Sequence, residues 1–355
     1  MKKKISVVLG MHRSGTSLIT RSLGTLGFQF GDNLMQSMEG NNDKGFWEDL
    51  NIYELNEEML RYCNKMWWST EPISKQDVEN LIHNGFQSRA ISLINEKVNN
   101  VNLLGLKDPR IAKLFKFWHI VFEKVDAEIT YVFAVRNPMS VAYSLQKRDG
   151  IEFCHSYMAW IDHCLSILGS LDGKRWTTIE YEKLIENTEE ELARLSELTG
   201  QTKVNEELQE FKNSFIDKSL QHTHFTVEDC ENCQDMPALC KEIYKNLAHN
   251  QINGSIHESL HLLEIINRWD KEFLTMYPIC KSLDIFTKRT FEYRNNKLIT
   301  VTEAEELRSE VRQAQAEAQQ AQAEAHQRTQ EIKEIKGSTS WKITSPLRKL
   351  MSWLK

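Results

Sequence analysis

The segment Gly10-Met11-His12-Arg13-Ser14-Gly15-Thr16-Ser17 constrains this chain more than any other. The apolar run Ile5–Leu9 precedes it and a helical pattern from Leu18 to Leu26 follows. A strand, a turn bounded by glycines and a helix start together make an anion cradle. Backbone N–H groups converge in the turn, and the positive end of the helix dipole faces it. Gly10 and Gly15 have the spacing of a Walker A loop, yet Thr16-Ser17 stand where that motif carries Lys and then Ser or Thr. The nearest cation is Arg13, inside the loop. The expected ligand is phosphate-like, without the lysine that serves a nucleoside triphosphate and its Mg²⁺. Taken alone, the loop also reads as a purely structural turn.

A second element favours the anion site. Ile129–Val135 has the pattern of a buried strand and ends in Arg136-Asn137-Pro138, with a helix expected from Met139 and Ser144 eight residues after Arg136. Arginine suits such a position because its planar fork binds phosphate bidentately. In an open parallel sheet ligands bind at the carboxyl ends of strands, so both sites should face one crevice. Two separated phosphate sites without a Walker lysine point to a nucleotide phosphorylated at two positions.

The rest of the chain supplies the frame. Further strands are expected at Val101–Leu106 and Trp176–Ile179. Helices are expected at Ile52–Tyr62, Val78–Val98, Ile111–Phe122, Met139–Lys147 and Tyr157–Leu171. Another should open on the capping box Thr188-x-x-Glu191 and stop at Gly200. Strands alternating with helices imply an α/β fold, a P-loop-like core whose parallel sheet is flanked by helices. The 355 residues carry a net charge of −6, which gives no basic field for nucleic acid, and no run approaches the roughly 20 apolar residues of a membrane span. Seven scattered cysteines favour reduced thiols in a cytosol.

The paired motifs resemble those of the sulfotransferases that use 3′-phosphoadenosine-5′-phosphosulfate (PAPS). Arg13-Ser14-Gly15-Thr16-Ser17 matches their 5′-phosphosulfate loop, and Arg136 with Ser144 matches their 3′-phosphate motif. Tyr181-Glu182-Lys183-Leu184 is similar to a Tyr-Glu-Asp-Leu segment after a strand, and Lys107-Asp108-Pro109-Arg110 to a segment of bacterial members. The resemblance covers residues 5–200 well and 200–300 loosely. It departs from the family where Arg13 replaces the lysine of cytosolic members and where no Arg-Lys-Gly segment follows. It implies PAPS as donor with no metal, Arg13 and the N–H groups of residues 14–17 at the leaving phosphate, and Tyr181 near the adenine. A core aromatic is the plainer reading of Tyr181.

The acceptor hydroxyl needs a general base. Glu48, in Gly45-Phe46-Trp47-Glu48-Asp49, is the first candidate, and bacterial members look similar there. Asp108, at the end of the strand 101–106, is the second, with His12 or water as further options. The competing structural roles are a dipole-favoured charge at a helix start for Glu48, and a turn or a bridge to Arg110 for Asp108. Lys107 either stabilises the transferring sulfonate or is a solvated loop lysine. Trp67-Trp68 fit a sugar platform or a core, and Cys230-x2-Cys233 with His222 and His224 is a weak zinc pattern.

Three segments are expected: a sulfotransferase domain at 1–300, a heptad-patterned helix at 301–336 and a basic tail at 337–355. The heptad seam runs Leu307, Val311, Ala314, Ala318, Ala321, Ala325, Arg328, Ile332, Ile335. It reads either as a coiled coil for self-association or partner binding, or as a lone spacer helix. The tail 341–355, with Trp341 and Trp353, suits a membrane surface or a partner complex, or packs as a terminal helix. It is similar to C-terminal segments of bacterial surface-polysaccharide glycosyltransferases, which implies a glycan acceptor and a cytoplasmic enzyme at the inner face of the membrane. The rival readings are a P-loop kinase or other phosphotransferase and a non-catalytic scaffold.

Overall fold

The computed structural model describes residues 2–36, 45–216, 225–250, 259–296 and 301–337. The chain divides into two compact units, Met1–Phe273 and Leu274–Lys355.

In the first unit the elements run β1 (Lys4–Leu9), α1 (Thr16–Gly24), β2 (Gln29–Phe30), α2 (Leu50–Tyr62), α3 (Lys75–His83), α4 (Phe86–Asn99) and β3 (Leu103–Lys107). Then come α5 (Pro109–Lys113), α6 (Phe115–Phe122), β4 (Glu128–Val135), α7 (Pro138–Asp149), α8 (Phe153–Leu168), β5 (Trp176–Glu180), α9 (Tyr181–Glu186) and α10 (Thr188–Thr199). After these follow α11 (Asn205–Glu210), a π-helical turn Phe211–Phe215, α12 (Val227–Asn232) and α13 (Ala238–Asn250). Helix α14 (Ser259–Thr275) crosses the division between units, and α15 (Tyr277–Asn296) and α16 (Val301–Gly337) lie in the second. No described helix is long and apolar enough to cross a membrane.

The five strands form one parallel sheet in the order β2-β3-β1-β4-β5. Alternation along the buried strands divides their side chains between the two faces. Val8, Val132 and Ala134 join Ile19 and Leu23 of α1 and Leu192 and Leu195 of α10 in one core. On β4, Tyr131 instead meets Phe115 and Phe122 of α6, at ring-centroid distances of 5.3 Å and 6.1 Å. The carboxyl ends of β1, β3, β4 and β5 therefore lead into Gly10, Asp108, Arg136 and Tyr181 along one edge.

The expected α/β class and its parallel sheet hold, and several local expectations do not. The helix expected over Val78–Val98 breaks at Gly85, whose φ of 83° is left-handed. That expected over Ile111–Phe122 breaks at Leu114, and α8 begins at Phe153, before Tyr157. The Thr188 capping box does not form. Helix α9 ends so close that Thr188 already lies inside α10, where its hydroxyl donates to the Leu184 carbonyl at 2.8 Å and Glu191 pairs with Arg194. Gly200 does end α10, at a φ of 64°.

In the second unit, α15 and α16 pack together. Val311, Ala314, Ala318 and Ala321 of the heptad seam are half-buried, while the described side chains from 322 to 331 are exposed. The residues from 338 onward, including the tail, lie outside the described residues, as do His222 and His224.

Lys113 on α5 and Asp162 on α8 form a fully buried pair at 2.5 Å, and the Lys113 ammonium also donates to the carbonyls of Ser69 and Glu71 at 2.6 Å and 2.7 Å. Removing one partner leaves a buried charge uncompensated. Lys113→Met should lower the unfolding free energy by about 3–5 kcal/mol in urea denaturation. A loss below about 1 kcal/mol would show that Asp162 finds another partner.

Candidate functional site

The loop after β1 carries two left-handed residues, Arg13 at a φ of 69° and Gly15 at 79°. Such alternation turns successive N–H groups toward one side and forms a nest for an anion. The loop is closed by Ser14 N–H donating to the Met11 carbonyl at 3.2 Å, and α1 begins with Ile19 N–H donating to Gly15 at 3.2 Å. Gly15 is obligatory for a second reason: a Cβ there would overlap the ring of Tyr181.

The second motif folds onto the first. Arg136 Nη1 donates to the Arg13 carbonyl at 2.9 Å, and Arg13 Nε donates to Ser144 Oγ at 2.7 Å. Ser144 thus ties helix α7 to the loop. The Arg136 guanidinium lies 4.5 Å from the Tyr181 ring centroid, with Glu182 at 3.7 Å from its Nε. That Nε is buried and has no hydrogen-bond partner among the described residues. Arg13 is pulled down to about 10, first by burial and then by the charges of Arg148 and Arg136. A cation depressed by neighbouring cations marks a place where an anion is favoured.

Lys107 enters from the neighbouring strand β3. Its buried ammonium donates to Ser17 Oγ at 3.3 Å, to the Phe46 carbonyl at 2.7 Å and to Glu48 Oε1 at 2.7 Å, which uses all three protons. The loop without a Walker lysine therefore has a lysine beside Ser17, supplied by a different strand. It is buried, not a solvated loop residue.

The two carboxylates differ. Asp108 is fully buried, caps α5 through the N–H of Arg110 at 2.9 Å, and accepts from Arg110 Nη1 and Asn56 Nδ2 at 3.0 Å each. Glu48 has Lys107 on one oxygen and only a long 3.5 Å contact from Arg110 on the other. Burial pushes the Glu48 carboxyl up, Asp108 adds to this, and Lys107 and Arg110 oppose it. Glu48 precedes the α2 cap Asp49 and lies outside the helix.

His12 is buried, and burial together with Arg110 and Arg148 holds its imidazole well below the usual histidine range. Its ring lies 4.3 Å from that of Trp67, and the Arg148 guanidinium lies 5.3 Å from the same indole. Trp67 is thus already packed by two groups, and Trp68 is buried against His155. Cys230 donates to Asn137 Oδ1 at 3.1 Å, and among the described residues no three metal-ligating side chains converge.

Sequence reasoning missed Arg148 and the left-handed Trp47, at a φ of 57°. Arg148 lies four residues beyond Ser144, on the same face of α7. That spacing was the available signal.

The model of the sulfotransferase family matches residues 7–206, more than half of the chain. The chain belongs to the sulfotransferase family. Its reaction is accordingly a sulfotransfer, and it is an enzyme of the transferase class. Among solved structures, the sulfotransferase domain of the olefin synthase of Synechococcus PCC 7002 is 16% identical, with a TM-score of 0.38, over 75% of this chain and 96% of that one. The sulfotransferase domain from the curacin biosynthetic pathway is 18% identical, with a TM-score of 0.36, over 76% and 97%. Comparison with curated proteins gave no match.

The contact between Gly15 and Tyr181 can be tested. Gly15→Ala should lower the melting temperature, because it meets both the left-handed φ and the Tyr181 ring. Gly15→Ala combined with Tyr181→Ala should be less destabilised than the sum of the two single changes, by about 1 kcal/mol or more. Strict additivity would mean that the ring is not the obstacle.

Proposed function

We propose that the enzyme moves a sulfuryl group from PAPS to a hydroxyl of a carbohydrate acceptor. The observation that carries this reading is the junction of two arginine sites at one loop, with Arg136 Nη1 on the Arg13 carbonyl and its buried Nε still without a hydrogen bond among the described residues. A donor phosphorylated at both its 3′ and 5′ positions fits that charge pattern. Arg136 would hold the 3′-phosphate and Tyr181 would lie beside the nucleoside. The nest of residues 13–17 would hold the 5′-phosphosulfate.

The chemistry is an in-line displacement at sulfur. A new oxygen–sulfur bond forms to the acceptor as the bond from sulfur to the 5′-phosphate oxygen breaks, and adenosine 3′,5′-bisphosphate leaves. Negative charge grows on that phosphate oxygen, where the nest and Arg13 are preorganised to stabilise it. Lys107, with its three protons engaged by Ser17, Phe46 and Glu48, would act on the sulfonate through its charge beside the loop. Glu48 takes the acceptor proton. The spare oxygen and raised pKa of Glu48 favour it over Asp108, whose oxygens are engaged by Arg110 and Asn56. On the acceptor side, Arg148 and Asp149, paired at 2.7 Å beside Trp67, offer hydrogen bonds to sugar hydroxyls. The resemblance of the tail to polysaccharide glycosyltransferases supports a glycan acceptor and a place at the inner face of the membrane.

Calorimetry with adenosine 3′,5′-bisphosphate tests the donor. Binding should need no metal and should fall about tenfold or more in Arg136→Ala, the loss of a charge-assisted pair. Preference for ATP with Mg²⁺ would replace this reading with phosphoryl transfer. For the base, turnover can be followed as release of the bisphosphate from PAPS with a pool of 4-nitrophenyl glycosides as acceptors. Glu48→Gln should keep bisphosphate affinity and lose turnover by about 10²–10⁴-fold. Because the carboxylate is the active form and its pKa is raised, kcat should climb with pH through a limb above the ordinary glutamate range and vanish below it. A limb that survives in Glu48→Gln would assign the titration to another group.

A further inference from the structure

We propose that Trp47 is a positioning residue for Glu48, and that the turn Phe211–Phe215 completes the active site by clamping Trp47. The inference rests on Glu48 being the base.

Trp47 has a φ of 57°, a conformation rare for a bulky residue and kept only where its surroundings over-determine it. The strain sits between two groups that meet at one atom. The carbonyl of Phe46 and Oε1 of Glu48 each accept from Lys107 Nζ at 2.7 Å. The reversal at Trp47 therefore serves the ammonium at the loop, and its side chain is what pins it.

The indole lies 5.3 Å from the ring of Phe30 on β2 and 6.1 Å from that of Phe215. The Arg21 guanidinium is 5.9 Å from Trp47 and 5.0 Å from Phe215, and is itself held by Glu207 at 2.8 Å and Glu210 at 3.2 Å. Phe215 stacks along Phe211, which is fully buried. Phe215, at the end of this π-helical turn, is the member of the pair that meets the indole, and such turns recur at functional sites. The clamp lies beyond residue 206, where the family match ends.

The test compares Trp47→Ala, Trp47→Phe and Phe215→Ala in the full-length protein. Turnover is read as bisphosphate release from PAPS with the 4-nitrophenyl glycoside pool. Glu48 is titrated by ¹³C NMR of protein labelled at the glutamate δ-carbons, its resonance assigned with Glu48→Gln. Trp47→Ala should keep affinity for adenosine 3′,5′-bisphosphate, lose turnover about 10- to 100-fold, and move the Glu48 titration down toward the ordinary range as water reaches it. Trp47→Phe should restore most of both readouts, and Phe215→Ala should reproduce the loss in milder form. Wild-type turnover and titration in Trp47→Ala would overturn the proposal. If that variant does not fold, the same result in Phe215→Ala overturns it. Unchanged turnover in Glu48→Gln would instead remove the base assignment itself.

Discussion

The Lys107 ammonium is the point to which the rest of the crevice answers. It ends a buried strand, and a buried charge is tolerated only with its hydrogen bonds met. Ser17 from the first loop, the Phe46 carbonyl and the Glu48 carboxylate supply those partners. Three stretches of chain distant in sequence are thereby drawn to one place. The consequence spreads to Arg110, which bridges Glu48, Asp108 and Glu57, and through Asp108 to Asn56, whose Oδ1 accepts from the Trp118 indole at 2.8 Å. Breaking one member leaves its partners charged and dry, so the set is expected to respond as a unit.

The arginine cluster at the loop is built on repulsion. Arg13 and Arg136 meet at the loop, Arg148 acts on Arg13 from the acceptor side, and Glu182 and Asp149 oppose the mutual repulsion of these cations. Holding like charges together destabilises the empty protein and is relieved by an anionic ligand. The left-handed backbone at Arg13 adds to the same stored strain. A paired bank carries the proposed base and an unbalanced bank carries the proposed anion sites. The two banks meet at Lys107, which donates both to Ser17 of the loop and to Glu48.

Much of this was legible in the amino-acid sequence, because the signals are local. Strand, glycine-bounded turn and helix marked the loop, and the apolar run marked the strand that ends at Arg136. Their convergence followed from the rule that parallel strands present their carboxyl ends together. What escaped was set by tertiary context. Strand β2 is two residues long and shows no alternation. The Thr188 capping box has the right letters, but α9 ends too near for Thr188 to stand outside the helix. Trp47 and Gly85 adopt left-handed backbone, which leaves no trace in periodicity. The heptad seam was read without α15, although α15 packs on α16 within the same chain. In the sequence Asn137 stands only between Arg136 and Pro138, at the end of the expected strand. It also donates to the carbonyls of Phe225 and Thr226, at 2.9 Å and 3.1 Å, so it staples a remote segment beside Arg136.

Helix α16 has a mechanical consequence. Its exposed stretch begins at Gln322 and the helix continues to Gly337, about 24 Å at the α-helical rise. Gln313, Gln320 and Gln327 each donate to a glutamate one turn further on, at 3.1 Å, 3.3 Å and 3.0 Å, a ladder that stiffens a helix rich in alanine. The stretch of α16 beyond its contact with α15 is thus a strut that fixes the distance from that contact to Gly337, where a flexible tether would let its two ends collapse together.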